Sequence, residues 1–219
     1  MKPAYENCVF INCPFDTEYK PIFEALVFTI FDAGFVPRCA MEVSDGAQNR
    51  LEKIVAIISE CKYGIHDISR TEPDAEHNLP RFNMPFELGI YFGCKRFGGG
   101  EHRRKASLVM DRERFRYQKF ISDIAGSDIE EHNNDREIAI RKVRNWLRTT
   151  SRRSNIPGAR KIWDRFNQFN GQLPAMCDKL GIDIEEIPFD EYNDLISAWL
   201  KANALPVFQV TAWPKAVRR

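Results

Sequence analysis

Glu87 and Asp67 are the residues of this chain whose type and setting best suit chemistry. Glu87 lies in Arg81-Phe82-Asn83-Met84-Pro85-Phe86-Glu87-Leu88-Gly89-Ile90, which reads as an apolar helix with this acid in its first turn. Asp67 lies in Tyr63-Gly64-Ile65-His66-Asp67-Ile68-Ser69, which reads as a short strand ending in an acid and a hydroxyl. Two carboxylates placed this way suit the cleavage of a glycosidic bond to a nucleobase. The ribosyl carbon develops oxocarbenium character, so one carboxylate can attack or stabilise it. A second polar group must orient the sugar hydroxyls or help the base depart. Glu87 takes the first role and Asp67 the second. Asn12, Asp16, Ser69 and Asn83 are the expected pocket lining, and Arg50 or Arg81 could meet a phosphate. Each also has a structural reading. An acid in a first helical turn meets the macrodipole, which keeps it ionised, and can close a capping box. Asp67 can serve as a cap or turn residue, and His66 as a packed, hydrogen-bonded core histidine.

The elements that must position these residues alternate. Cys8-Val9-Phe10-Ile11-Asn12 is a strand, and residues 21–33 carry apolar side chains at helical spacing up to Gly34. Residues 35–40 form a second strand, placed near a sheet edge by Pro37. Ser44 or Asp45 can cap a helix running to about Cys61. Residues 63–68 are the third strand, the Pro85 helix follows, and residues 106–110 are the fourth. This alternation predicts an α/β fold, a flavodoxin-like (Rossmannoid) parallel sheet flanked by helices. Ligands of such sheets bind at the carboxyl ends of the strands, where strand order reverses. Asn12, Asp16, Asp67, Ser69, Asn83 and Glu87 would all lie on that edge. From about residue 115 the pattern turns helical, with helices expected over 115–124, 135–149, 159–180 and 190–202. The expected division is an α/β domain over residues 1–125 and a helical region over 126–219 packed on it.

Composition narrows the classes. The chain has 219 residues, 43% of them hydrophobic, and a formal charge of +1, so it can bury a core and its overall charge calls for no nucleic-acid or membrane partner. No apolar run reaches the ~18 residues of a membrane span, and the N-terminal residues lack a signal-peptide apolar region, so a cytoplasmic protein is expected. Six cysteines form no Cys-x-x-Cys pair, and four histidines show no ligand spacing, so neither a metal nor another cofactor is expected. Residues 141–165 hold nine basic side chains and one acid, Asp164. Such a run can bind nucleic acid. More often such a run is a solvated face paired with acids elsewhere, here those of residues 128–137.

Phe86-Glu87-Leu88-Gly89-Ile90-Tyr91-Phe92-Gly93-Cys94-Lys95 resembles the segment around the catalytic glutamate of the nucleoside 2-deoxyribosyltransferase superfamily. Residues 63–68 and Val9-Phe10-Ile11-Asn12-Cys13-Pro14 resemble that family's third and first strands. The resemblance covers about residues 7–111. Two positions depart from the pattern: Lys62 stands where an aspartate is common, and Asn12-Cys13-Pro14-Phe15-Asp16 replaces a glycine-rich turn. The wider group includes nucleotide N-glycosidases and is related in fold to TIR domains, some of which cleave NAD. The resemblance implies an N-glycosidase-type hydrolase or transferase acting on a nucleoside, nucleotide or NAD, with a role in bacterial stress or antiphage defence. It also implies a homo-oligomer that completes its pockets across subunits. The alternatives are a non-catalytic nucleotide-sensing module using the same pocket, and a nucleic-acid-binding protein led by the basic helices of residues 141–165.

Overall fold

The computed structural model describes residues 3–42, 47, 49–73, 78–124 and 126–205. Five parallel strands form one sheet in the order β2-β1-β3-β4-β5: β1 (Cys8–Asn12), β2 (Val36–Cys39), β3 (Tyr63–Asp67), β4 (Ala106–Asp111) and β5 (Ile129–Glu131). This is the flavodoxin-like architecture, and strand order reverses between β1 and β3. Every residue of β1 and β3 is buried, as central strands covered on both faces must be. Pro37 lies in β2, an edge strand, where a missing N–H leaves no ladder bond unmade.

Alternation along the strands divides the core. Val9, Ile11, Tyr63, Ile65, Leu108 and Met110 face α1 (Lys20–Asp32), α4 (Arg136–Ser151), α5 (Ala159–Leu180) and α6 (Phe189–Ala202) in one continuous apolar cluster. Cys8 and Phe10 face the opposite side, against Ile54, Ile57 and Ile58 of α2 (Arg50–Glu60) and Tyr91 of α3 (Asn83–Phe97). Helix α1 is buried almost all round because the sheet covers one flank and α4, α5 and α6 cover the other. Gly34, at φ 79°, ends it, and Phe35 N–H closes back on the Ile30 carbonyl at 3.0 Å.

Several boundaries differ from expectation. The expected caps Ser44 and Asp45 lie outside the described residues; the cap of α2 is Asn49, whose side chain accepts from Leu51 N–H at 2.8 Å. Residues 115–124 form two 3-10 turns, Arg116–Lys119 and Ser122–Ile124, rather than a helix. Within the first turn the Arg116 guanidinium is anchored on Asp111 and the Ile68 carbonyl. Strand β5 was not expected. It has three half-buried residues, Ile129, Glu130 and Glu131, too short and too polar for a strand pattern. The sheet therefore continues beyond residue 125, and α4 to α6 share its core. Among the described residues no helix is long and apolar enough to cross a membrane.

Candidate active site

The carboxyl ends of β1, β3, β4 and β5 present Asn12, Asp67, Asp111 and Glu131, with His132 directly after β5. Asp67 is fully enclosed. Its carboxylate accepts from the Tyr19 hydroxyl at 2.7 Å and from Ser69 N–H at 2.9 Å, and His132 Nε2 lies 2.9 Å away. His132 Nδ1 accepts from Asn134 N–H at 3.1 Å, so Nε2 carries the proton. The Nε2 contact is close but off the line of a straight hydrogen bond. Burial pushes the Asp67 carboxyl up, yet His132, Ser69 N–H and Tyr19 more than offset it and hold the group below the usual carboxylate range. Asp67 is thus an ionised buried anchor joining the turn before α1, β3 and the end of β5.

Glu87 lies on the buried stripe of α3 formed by Met84, Glu87, Leu88 and Tyr91. The first-turn placement does not hold. The helix opens at Asn83, ahead of Pro85, so Glu87 falls in the second turn. Pro85 is tolerated there because a first-turn N–H has no intrahelical partner. The macrodipole fades beyond the first turn, and burial decides instead. Glu87 is pushed up to about 7, against a smaller pull from the Arg50 guanidinium. The carboxyl is therefore not held ionised, contrary to the sequence reading. Glu87 is itself buried, with 8% of its surface exposed against none for Asp67.

Asn12 sets the position of α3. Its side-chain amide donates to the Met84 carbonyl at 2.8 Å, one turn before Glu87, and lies 3.2 Å from His66 Nδ1. His66 is buried and neutral, pushed down to about 3 by burial and by Lys105. It packs edge-on to Tyr91 at 4.8 Å, as the structural reading of His66 anticipated. Asn12, itself buried, is a docking residue rather than lining.

Cys13 connects the parts. Burial pushes its thiol up, and the charges of Asp67, Glu87 and Asp16, with Cys39, push it further. These three acids therefore occupy one electrostatic neighbourhood around the turn after β1. Asp16 accepts from Tyr19 N–H at 2.9 Å and meets Arg70 at 3.3 Å. The Ser69 hydroxyl is buried without a hydrogen-bond partner among the described residues. Arg50 opens α2 within electrostatic reach of Glu87. Arg81 and Asn83 are exposed at the start of α3, and no described contact ties them to Glu87.

Sequence reasoning missed Tyr19, Arg70, Asp111, Arg116 and His132. Asp111 carries the same signal as Asp67, an acid closing an apolar strand. It is buried and pushed up by burial, against the opposing Arg116 guanidinium. Arg116 bonds Asp111 at 2.8 Å, the Ile68 carbonyl at 2.8 Å and Thr71 at 3.0 Å, joining β4 to the turn after β3. Tyr19 and His132 had no signal, since only the tertiary fold brings them to Asp67. Among the described residues no group of three His, Cys, Asp or Glu could hold a metal ion.

The basic run of residues 141–165 resolves mostly into structure. Arg144 binds the Pro157 and Ile156 carbonyls, Arg148 the Arg153 carbonyl, and Arg153 the Gly34 carbonyl and Asn7. Arg165 binds Asp32 and the Asn203 carbonyl, and Lys142 binds Glu130. Trp146 and Trp163 pack against the main core.

Compared with protein-family models, with curated proteins and with solved structures, the chain matches none of them.

Proposed function

We propose that this chain cleaves the base–ribose bond of a nucleoside, nucleotide or NAD, as an N-glycosidase-type hydrolase or transferase centred on Glu87. The observation that carries this reading is the state of Glu87. It is a carboxyl group near the edge where ligands of parallel sheets bind, raised by burial to about 7, with 8% of its surface exposed and Arg50 within electrostatic reach. A carboxyl that titrates near neutrality can give a proton and then stabilise positive charge. In hydrolysis, the bond between the ribosyl carbon and the base nitrogen breaks, and its electron pair goes to the base. Glu87 gives its proton to the departing base, and the carboxylate left behind faces the oxocarbenium ion. Water adds to the ribosyl carbon and returns a proton to Glu87. Asp67 has no surface from which to touch the substrate, so its part is positioning. It fixes Tyr19 and the turn at Ser69, behind the site.

The test is incubation with a panel of nucleosides, nucleotides and NAD, followed by chromatography for free base. Base release that Glu87→Gln reduces by at least ~100-fold supports the proposal. Equal release by the two proteins overturns the role of Glu87. One observation favours the nucleotide-sensing alternative: with Asp67 sealed, Glu87 is the single member of the expected acid pair with exposed surface. Nucleotide binding with no base release would select that alternative.

A further inference from the structure

A cavity of about 630 Å³ opens between the turns after β1 and β2, the first turns of α1 and the N-terminus of α6. This lies within the range of about 300–1,000 Å³ usual for small-molecule sites. Phe15, Phe23 and Phe189 line it as a chain of rings, Phe15 edge-on to Phe23 at 5.5 Å and Phe23 tilted on Phe189 at 5.9 Å. Its charge is acidic. Asp16, Glu24, Glu42, Asp190 and Glu191 line it, and Lys20 is the one cation among the described lining residues. The Lys20 ammonium is taken up by the Glu185 carbonyl at 3.0 Å. Asp16 and Glu42 are answered by Arg70 and Arg38; burial pushes the Glu24 carboxyl up against the pull of Lys20 and Arg136, and the first-turn acids of α6 add to the acidic field.

Tyr192 points to an occupant. It lines the cavity and is 4% exposed, and its hydroxyl has no hydrogen-bond partner among the described residues. Buried polar groups are normally paired, so an orphan beside a cavity marks a place for a ligand atom. Glu24 lines the same cavity. An anion is the wrong occupant, because Asp190 and Glu191 already take the favourable end of the α6 dipole. A neutral apolar ligand would leave the acids and the phenol unanswered. A cation on an apolar body matches both surfaces: the rings pack against its body, and a carboxylate and a phenol oxygen accept its N–H groups.

We propose that this cavity binds a small organic ammonium ion, with N–H donors on Glu24 and the Tyr192 hydroxyl and its apolar body against Phe15, Phe23 and Phe189. The proposal is independent of the glycosidase reading and shares only Asp16 with that edge. The test is calorimetric titration of the full chain with phenethylamine, 2-phenylethanol and phenylacetate, which share a ring and differ in charge. Phenethylamine should bind at least about tenfold more tightly than either analogue. Glu24→Gln should weaken it by at least about tenfold, and Tyr192→Phe by about three- to tenfold. Tyr192→Phe keeps the ring that packs on Phe169 at 5.9 Å, so thermal melting should show an intact fold. No phenethylamine binding below about 10 mM, equal binding of the three probes, or amine binding unchanged in both variants would each overturn the proposal.

Discussion

Glu87 and Asp67 are both buried carboxyls, and their neighbours send them in opposite directions. Glu87 has one opposing cation and is raised to about 7. Asp67 collects two hydrogen bonds and a close His132 contact and is held below its usual range. If Glu87 acts as a general acid, base release should fall as pH rises through about 7, and a profile of kcat/KM against pH reads this directly. The same shift governs stability. The folded state binds the Glu87 proton more tightly than the unfolded chain, so its contribution is full below about pH 4.5 and is lost as pH rises through about 7. Glu87→Gln should therefore stabilise the fold at pH 8, by on the order of 1–3 kcal/mol, and change it little at pH 4. Asp67 has the reverse sign: its contribution is present above the unfolded carboxylate range and disappears as pH falls through the depressed folded value. Asp67→Asn should cost about 2–3 kcal/mol at pH 7 in urea denaturation, the worth of hydrogen bonds to a buried charge. An unchanged midpoint would mean that these partners of Asp67 do not stabilise the fold.

At the level of elements, the site depends on how α3 sits on β3 and β1. A Cβ on Gly64 would lie 2.7 Å from both the Tyr91 ring and His66 Nε2. The strand is glycine there because Tyr91 crosses it closely, with its hydroxyl bonded to the Lys62 and Ala106 carbonyls at 2.8 and 2.9 Å. Gly64→Ala should destabilise the fold by about 1–3 kcal/mol through overpacking. It should also reduce base release by displacing the helix that carries Glu87. Asn49→Ala removes only the cap of α2, at about 1 kcal/mol, and serves as a control that leaves α3 in place. If Gly64→Ala is as stable as the unsubstituted chain in urea denaturation, the close crossing of Tyr91 does not constrain the strand.

Across the whole molecule, α1 is the central layer. Its apolar residues meet the sheet on one side and α4, α5 and α6 on the other, in one cluster that includes Phe28, Phe166, Phe169 and Trp199. Residues 1–125 alone should not fold. That fragment lacks β5 and leaves the outer face of α1 bare, and the missing His132 removes a neighbour of Asp67. Expression of the fragment should yield insoluble or molten protein, by sedimentation and near-ultraviolet circular dichroism. A cooperative, soluble fragment would show that the helical region is an independent addition. The arginines of residues 141–165 serve the same integration, since Arg153 and Arg165 reach Gly34, Asn7 and Asp32 across the molecule.

The sequence by itself determined the alternation of β1 to β4 with α1 to α3, the parallel sheet, and the strand end and helix that carry Asp67 and Glu87. These follow from local periodicity and from glycine and proline positions, which act within a few residues. It did not determine β5, because three half-exposed residues hold no pattern and exist as a strand only against β4. Only the tertiary structure decided the protonation of the two acids. A pKa depends on burial and on donors drawn from distant segments: Tyr19 and His132 for Asp67, Arg50 for Glu87. It also decided that Asn12 docks a helix instead of lining a pocket, because the carbonyl it meets, that of Met84, comes from another element.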